Sequence, residues 1–127
     1  MKKVYQTRFG EKEGNCFPAA LASLFELPLE EVPDFCNIYS TETDEWYKKF
    51  VEWLNGFGFT SLPVDVDDLN RPNYKDCYLL VTGKNSDNIN HCVIYKNGKV
   101  VHNPNKKSKG IKPKIINLIF PLDPAAF

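Results

Sequence analysis

Cys16 is the residue of this sequence whose type and position point most directly to covalent chemistry. It follows Gly14 and Asn15 and opens the apolar run CFPAALASLF, which has the spacing of a helix. A thiol at a helix N-terminus meets unpaired backbone N–H groups and the positive end of the helix dipole, and both lower its pKa. The same N–H groups stabilise an oxyanion that forms beside the sulfur. The position therefore favours Cys16 as a nucleophile, against the alternative of a small buried core residue.

The other three cysteines, Cys36, Cys77 and Cys92, are interpreted as structural residues. Cys92, for example, lies beside Val93 and Ile94 in an apolar run typical of a strand. The segment MKKVYQTRFGEKEG lacks the apolar run expected of a signal peptide, and no two cysteines form a C-x-x-C pair. The pattern therefore predicts reduced thiols in a cytoplasmic protein, rather than a disulfide framework or a cysteine-rich zinc site.

A thiol nucleophile needs a base, and the chain has two histidines, His91 and His102. His91 begins a predicted strand after the polar loop GKNSDNIN, and Asn103 ends the next strand just before a proline. A carboxamide accepts the imidazole N–H and so holds the ring in one tautomer. Each histidine taken alone is more commonly structural, so the combination with Asn103 is what favours His91 as the base.

Two helices are predicted in the first half of the chain to position these residues. The first begins after Asn15, a favourable N-cap residue, and ends before Pro28. The second is predicted over residues 44–55, after a cap at Thr43. Their apolar sides consist of Phe17, Ala20, Leu21, Leu24 and Phe25 in the first, and of Trp46, Phe50, Trp53 and Leu54 in the second.

The second half of the chain has the pattern of short strands, predicted over 60–66, 77–83, 91–96, 99–103 and 114–120. Helices followed by strands predict an α+β fold in which the two helices pack on an antiparallel sheet of about five strands. Neither an internal repeat nor a change in composition marks a boundary, so residues 1–127 are predicted to form a single domain.

The pair Asn97-Gly98 predicts a hairpin between the third and fourth strands, and its register is a test of the His91–Asn103 hypothesis. In a plain two-residue type I′ hairpin, His91 shares a face with His102 and Asn103 points away. A three-residue loop with a bulge, or an equivalent bulge elsewhere in the hairpin, brings His91 and Asn103 to the same side. The catalytic hypothesis therefore predicts a bulge.

The segments QTRFG, GNCFPAALASLFELPLEEVPDF and HCVIY–NGK–VHNP resemble small phage- and bacterium-encoded proteins of the papain-like cysteine-peptidase superfamily. They are similar, more distantly, to the leader peptidases that process bacteriocins. The resemblance implies a papain-like fold with Cys16 as nucleophile, His91 as general base and acid, and Asn103 as the orienting residue. It also implies that Gln6 donates to the oxyanion beside the backbone N–H of Cys16. Asn15 is a rival for that last role, because Gln6 lies farther upstream of the cysteine than is usual in the family.

Composition and charge argue against several other classes of function. Lysine plus arginine equals aspartate plus glutamate at 16 each, and this balance argues against nucleic-acid binding. The apolar runs are too short for a membrane span. Cys16 and the two histidines lack the carboxylate partners typical of a zinc site, and the acidic run at 65–68 lacks the glycine and glutamate of a calcium loop. Neither a metal nor a cofactor is predicted.

Two functions are consistent with the sequence. The first is a cysteine-dependent hydrolase or acyl transferase, resembling a peptidase or amidase, that acts on a peptide or protein substrate through a Cys16–His91–Asn103 triad. The second is an inactive papain-like scaffold, such as a phage-encoded inhibitor, that binds a host protein or a small ligand without turnover. In the first, residues 83–90 and 36–44 are predicted to determine specificity because they flank the thiol and the imidazole.

Overall fold

The computed structural model describes residues 1–10, 14–68, 76–107 and 110–122. Its helices are α1 (Cys16–Phe25), α2 (Phe35–Ile38) and α3 (Glu45–Gly56), with short 3-10 turns at Leu29–Glu31 and Val66–Asp68. Its strands are β1 (Phe59–Val64), β2 (Tyr78–Lys84), β3 (Asn90–Lys96), β4 (Lys99–His102) and β5 (Lys112–Pro121). The α+β class is confirmed, and the two predicted helices and five predicted strands are all present. None of the described helices is long and apolar enough to cross a bilayer.

The strands form one antiparallel sheet in the order β1-β5-β2-β3-β4. The last strand of the chain therefore lies between β1 and β2. The backbone of β5 approaches β2 very closely at Gly83, where an added Cβ would lie 1.8 Å from the carbonyl oxygen of Lys112. Since no side chain fits there, glycine is required for the two strands to pass.

The helices cover one face of this sheet. The core on that face joins buried residues of the helices to buried residues of β2 and β3: Ala20, Leu21, Ala22, Phe35, Phe50 and Leu54 with Leu80, Cys92 and Ile94. Burying a side chain of leucine or phenylalanine stabilises a fold by roughly 1.5–3 kcal/mol, so this layer holds α1 and α3 against the sheet. A second buried cluster, on the opposite face, consists of Leu79, Val81, Val93 and Ile116.

The N-terminal segment is attached to both α1 and the β3–β4 hairpin. The backbone N–H of Val4 donates to the hydroxyl of Ser23, a fully buried residue of α1, at 2.8 Å. Farther along, the N–H of Gln6 donates to the carbonyl of Pro104 at 3.0 Å. These bonds place Gln6 between the start of α1 and the end of the hairpin.

Candidate active site

The β3–β4 hairpin contains the bulge that the catalytic hypothesis predicts. Asn97 and Gly98 form a two-residue turn with φ of 55° and 77°, the positive values that a type I′ turn requires. Beyond it, Tyr95 pairs with Val100 but Ile94 pairs with His102, so Val101 is an extra residue on β4. The bulge reverses the alternation of β4 side chains relative to β3. His91 and Asn103 are thereby brought to the same side.

His91 is buried and hydrogen-bonded to Asn103, with 2.6 Å between Nε2 and Oδ1. The N–H of Asn105 donates to the same Oδ1 at 3.0 Å, which identifies that atom as the oxygen of the carboxamide. Oxygen only accepts, so Nε2 of His91 carries a proton and Nδ1 of the neutral ring is left as a base. The structure thus joins two of the predicted triad residues.

His102, the other histidine, has a structural role. Its Nε2 lies 2.7 Å from the carbonyl oxygen of Val4, and its ring packs edge-on against Tyr5 with 5.1 Å between centroids. The contact joins the hairpin to the N-terminal segment. The interpretation of His91 rather than His102 as the candidate base is therefore consistent with the contacts of both.

Cys16 is the first residue of α1, as predicted, and is half-buried. Its sulfur interacts with the backbone N–H groups of Cys92, Phe17 and Cys16 itself. The first of these belongs to the residue that follows His91 in β3. Cys16 and His91 both line one cavity of about 860 Å³, which is within the size range of ligand sites. The cavity therefore borders both residues, His91 near the start of β3 and Cys16 at the start of α1.

The protonation state of the site differs from the prediction that the helix terminus holds Cys16 as a thiolate. Burial raises the pKa of the Cys16 thiol, the three backbone N–H groups lower it by less, and the carboxylate of Asp34 raises it further. Burial also lowers the pKa of His91, although the bond to Asn103 opposes this effect. Desolvation thus acts against the predicted effect of the helix end. The directions of the two shifts favour a neutral thiol and a neutral imidazole at rest.

Gln6 is buried in the wall of the same cavity. Its Nε2 donates one proton to the carbonyl of Arg8 at 3.0 Å, and a carboxamide nitrogen carries a second proton. Its Oε1 is buried and has no hydrogen-bond partner in the described part of the chain. Gln6 is thus anchored beside the cavity with one N–H not used by Arg8.

The side chain of Asn15, the alternative to Gln6 as a donor to the oxyanion, is hydrogen-bonded to Thr7 and Arg8 instead. Its Oδ1 accepts the N–H groups of Thr7 and Arg8, both at 3.0 Å, and its Nδ2 donates to the hydroxyl of Thr7. It occupies the N-cap position of α1 but makes no side-chain cap bond, so the predicted capping interaction is wrong. The side chain instead closes the loop that runs from Arg8 to α1.

The cavity lies between the two segments that were predicted to flank the thiol and the imidazole. On one side it is lined by Cys36, Asn37 and Thr41, and on the other by Gly83, Asn85, Asp87, Ile89 and Asn90. Cys36 is exposed there, so its interpretation as a core residue is wrong. Cys92 is buried as expected, and Cys77 is half-buried.

The β5 strand supplies three lining residues that the sequence reasoning missed, namely Lys114, Ile115 and Asn117. Thr82 pairs with Ile115 and Gly83 with Pro113, so Lys114 is an extra residue on β5. A bulge re-aims side chains, and here two consecutive residues line the same cavity. Asn117 was detectable as the single polar residue within the apolar run IINLIF.

Among the described residues, no group of three or more His, Cys, Asp or Glu side chains is arranged to hold a metal ion. The four cysteines are free thiols. Comparisons of the chain with models of protein families, with curated proteins and with solved structures find no match.

Proposed function

We propose that the protein is a papain-like cysteine hydrolase or acyl transferase that acts on amide bonds in a cytoplasmic setting. The observation that carries the proposal is the hydrogen bond between His91 and Asn103, made beside a cavity that also contains Cys16. The bond leaves Nδ1 of His91 available as a base in a residue that lines the cavity, whereas His102, whose Nε2 is also bonded to an oxygen, does not line it. The four free thiols suit a reducing compartment.

The neutral resting pair favours general-base activation over attack by a preformed thiolate. As the sulfur of Cys16 adds to a substrate carbonyl, its proton passes to Nδ1 of His91. Asn103 accepts the Nε2–H throughout and stabilises the imidazolium that forms. His91 then donates the proton to the leaving amine, and in the second half of the cycle it takes a proton from the water that attacks the thioester.

The oxyanion that forms on the carbonyl needs preorganised donors. The backbone N–H of Cys16 at the start of α1 is one, and the second N–H of the Gln6 carboxamide is the other in this proposal. The bond from Gln6 to Arg8 fixes the orientation of the carboxamide before substrate arrives. No metal or cofactor has a role in this sequence of steps.

An activated ester tests the proposal without knowledge of the natural substrate. Incubation with p-nitrophenyl acetate is expected to acetylate Cys16, as located by peptide mass spectrometry, and to release p-nitrophenol over several turnovers. The Cys16→Ala variant is expected to release none above the rate of the free reagent. The Cys36→Ala variant is the matched control, because it removes a more exposed thiol from the same cavity.

The alternative function, a scaffold that binds a partner without turnover, predicts a different result. In that case the exposed Cys36 reacts at least as fast as Cys16, and every cysteine is modified once without continued release of p-nitrophenol. Such a result would contradict the hydrolase proposal.

A further inference from the structure

Asn117 is a buried polar residue in the middle of the sheet. It lies on β5 directly opposite Leu80 of β2, on the face that the helices cover. Only 8% of its surface is exposed, and that part lines the cavity that contains Cys16 and His91. Its neighbours Ile116, Leu118 and Ile119 are apolar and pack in the two cores.

The carboxamide of Asn117 makes no hydrogen bond to any of the described residues, in contrast to the other two buried carboxamide residues, Gln6 and Asn15. Its amide atoms are not among the enclosed atoms without a partner, so the carboxamide is accessible from the cavity that the residue lines. A polar side chain retained at this place in an apolar strand is accounted for if a ligand in the cavity forms hydrogen bonds with it.

The surroundings of Asn117 indicate what kind of partner fits. Leu80 lies directly opposite Asn117 on the neighbouring strand. The next residue of β2 on that face is Thr82, and its hydroxyl is hydrogen-bonded to the thiol of Cys92. Asp34, which also lines the cavity, is already paired with Arg8. The two other charged lining residues, Asp87 and Lys114, are exposed and have opposite signs. A charged side chain of a ligand placed beside Asn117 would contact uncharged groups. It would lose its hydration without gaining an ion pair.

We propose that Asn117 determines the specificity of the site by binding an uncharged, hydrogen-bonding side chain of a peptide substrate, as found in Ser, Thr, Asn or Gln. The inference rests on the proposed hydrolase function. A carboxamide both donates and accepts, so it pairs with each of these side chains. An aliphatic side chain in the same place would leave Asn117 buried and unpaired, and a site built to hydrogen-bond its substrate rejects an analogue that lacks the group.

A library of synthetic peptides, varied at one position at a time and followed by mass spectrometry, tests this inference. The wild-type protein is expected to cleave peptides with Ser, Thr, Asn or Gln at one position at least about tenfold faster than those with Leu, Asp or Lys there. Asn117→Leu keeps the approximate size of the side chain but removes its polar atoms. This variant is expected to reverse the preference toward Leu at that position.

The matched control is Asn55→Leu, which removes the same group from an exposed position on α3 that does not line the cavity. The control is expected to keep the wild-type preference. Folding of each variant is checked by its melting temperature, which for Asn117→Leu is expected to equal or exceed that of the wild type.

The possible outcomes separate this inference from the proposed function. If the wild type acetylates Cys16 and cleaves peptides, but Asn117→Leu keeps the same preference, the inference is overturned and the hydrolase function stands. An equal loss of all peptide cleavage in Asn117→Leu, without a change in preference, also overturns it, because Asn117 then binds the peptide main chain. If p-nitrophenyl acetate does not acetylate Cys16 in the wild type, both proposals fail.

Discussion

His91 and His102 lie in the same hairpin and are both almost fully buried, yet their contacts differ completely. His91 is bonded to the side chain of Asn103 and lines a cavity, whereas His102 is bonded to the backbone carbonyl of Val4 and packs against Tyr5. Burial lowers the pKa of both imidazoles. Neither burial nor pKa therefore distinguishes a candidate base from a structural histidine. The distinction comes from the partner and from access to a cavity.

The largest difference between the two histidines is expected in turnover of p-nitrophenyl acetate. The His91→Ala variant removes the base, so we expect the rate of p-nitrophenol release to fall by roughly 10²–10⁴-fold. The rate of the His102→Ala variant, corrected for the folded fraction, is expected to stay within about threefold of wild type, because His102 does not line the cavity. Similar losses in both variants would mean that the hairpin acts only as a structural unit.

Removal of the partner of His91 is expected to have a smaller effect. In Asn103→Ala the ring of His91 loses the acceptor that fixes its tautomer. We expect turnover to fall roughly 10–100-fold, which is less than the loss expected when the base itself is removed. Asn103→Asp keeps the acceptor and adds a negative charge, so it is expected to raise the pKa of His91 and move the acid limb of the pH–rate profile upward. An unchanged profile in Asn103→Asp would contradict a role for this contact in positioning the base.

For the free energy of unfolding, in contrast to turnover, we expect the His102→Ala substitution to have the larger effect of the two histidine substitutions. The His102→Ala variant leaves the carbonyl of Val4 without its partner in a part-buried position, which is expected to lower the free energy of unfolding by about 1–3 kcal/mol. Chemical denaturation measures this change. If the His102→Ala variant were as stable as the wild type, the attachment of the N-terminal segment would depend on the other bonds alone.

The pH dependence of stability is expected to have opposite signs on the acid and the alkaline side. Both histidines have folded pKa values below their unfolded values, so the unfolded chain binds more protons as they titrate. The thiols of Cys16, Cys36 and Cys92 have raised pKa values, so the folded chain binds more protons at alkaline pH. The free energy of unfolding is therefore expected to be highest between about pH 6.5 and 8, and to fall on either side of that range. Denaturation at a series of pH values checks this, and a maximum below pH 6 would contradict it.

The rate profile should differ from that of an enzyme with a preformed thiolate. Because the pKa of His91 is lowered and that of Cys16 is raised, the neutral pair is the main form across a broad range around pH 7. Turnover is expected to fall only as the pH drops below about 6.5, when His91 becomes protonated. Alkylation of Cys16 by iodoacetamide is expected to rise steeply above pH 9 rather than to be fast at pH 6.

Much of the fold was predictable because its signals are local. The spacing of Phe17, Leu21 and Leu24 depends only on the helix period, and the turn at Asn97-Gly98 depends on two residues that tolerate positive φ. The position of Cys16 at the start of α1 followed from the same local reasoning. For His91 and Asn103 the residues left two hairpin registers open, and only the catalytic hypothesis required the bulge that the structure has after a two-residue turn.

The features that were not predictable depend on contacts between distant segments. The short helix α2 and the exposure of Cys36 depend on how residues 35–38 pack against α3. The N-cap prediction for Asn15 failed because Thr7 and Arg8 compete for its side chain. The participation of β5 in the cavity depends on its insertion between β1 and β2, which no local pattern in the chain specifies. The protonation state of Cys16 depends on burial, which a helix-end argument does not include.

The extra residue Val101 makes the site more sensitive to the length of the hairpin than to its composition. Exchange of Val101 for another β-branched residue would leave the order of inward and outward side chains on β4 unchanged. Its deletion would shift every later residue by one position, so that Asn103 would turn away from His91 and the neighbouring imidazole would take its place. Homologues that keep this site should therefore vary in the identity of residue 101 but not in the number of residues between the turn and Asn103.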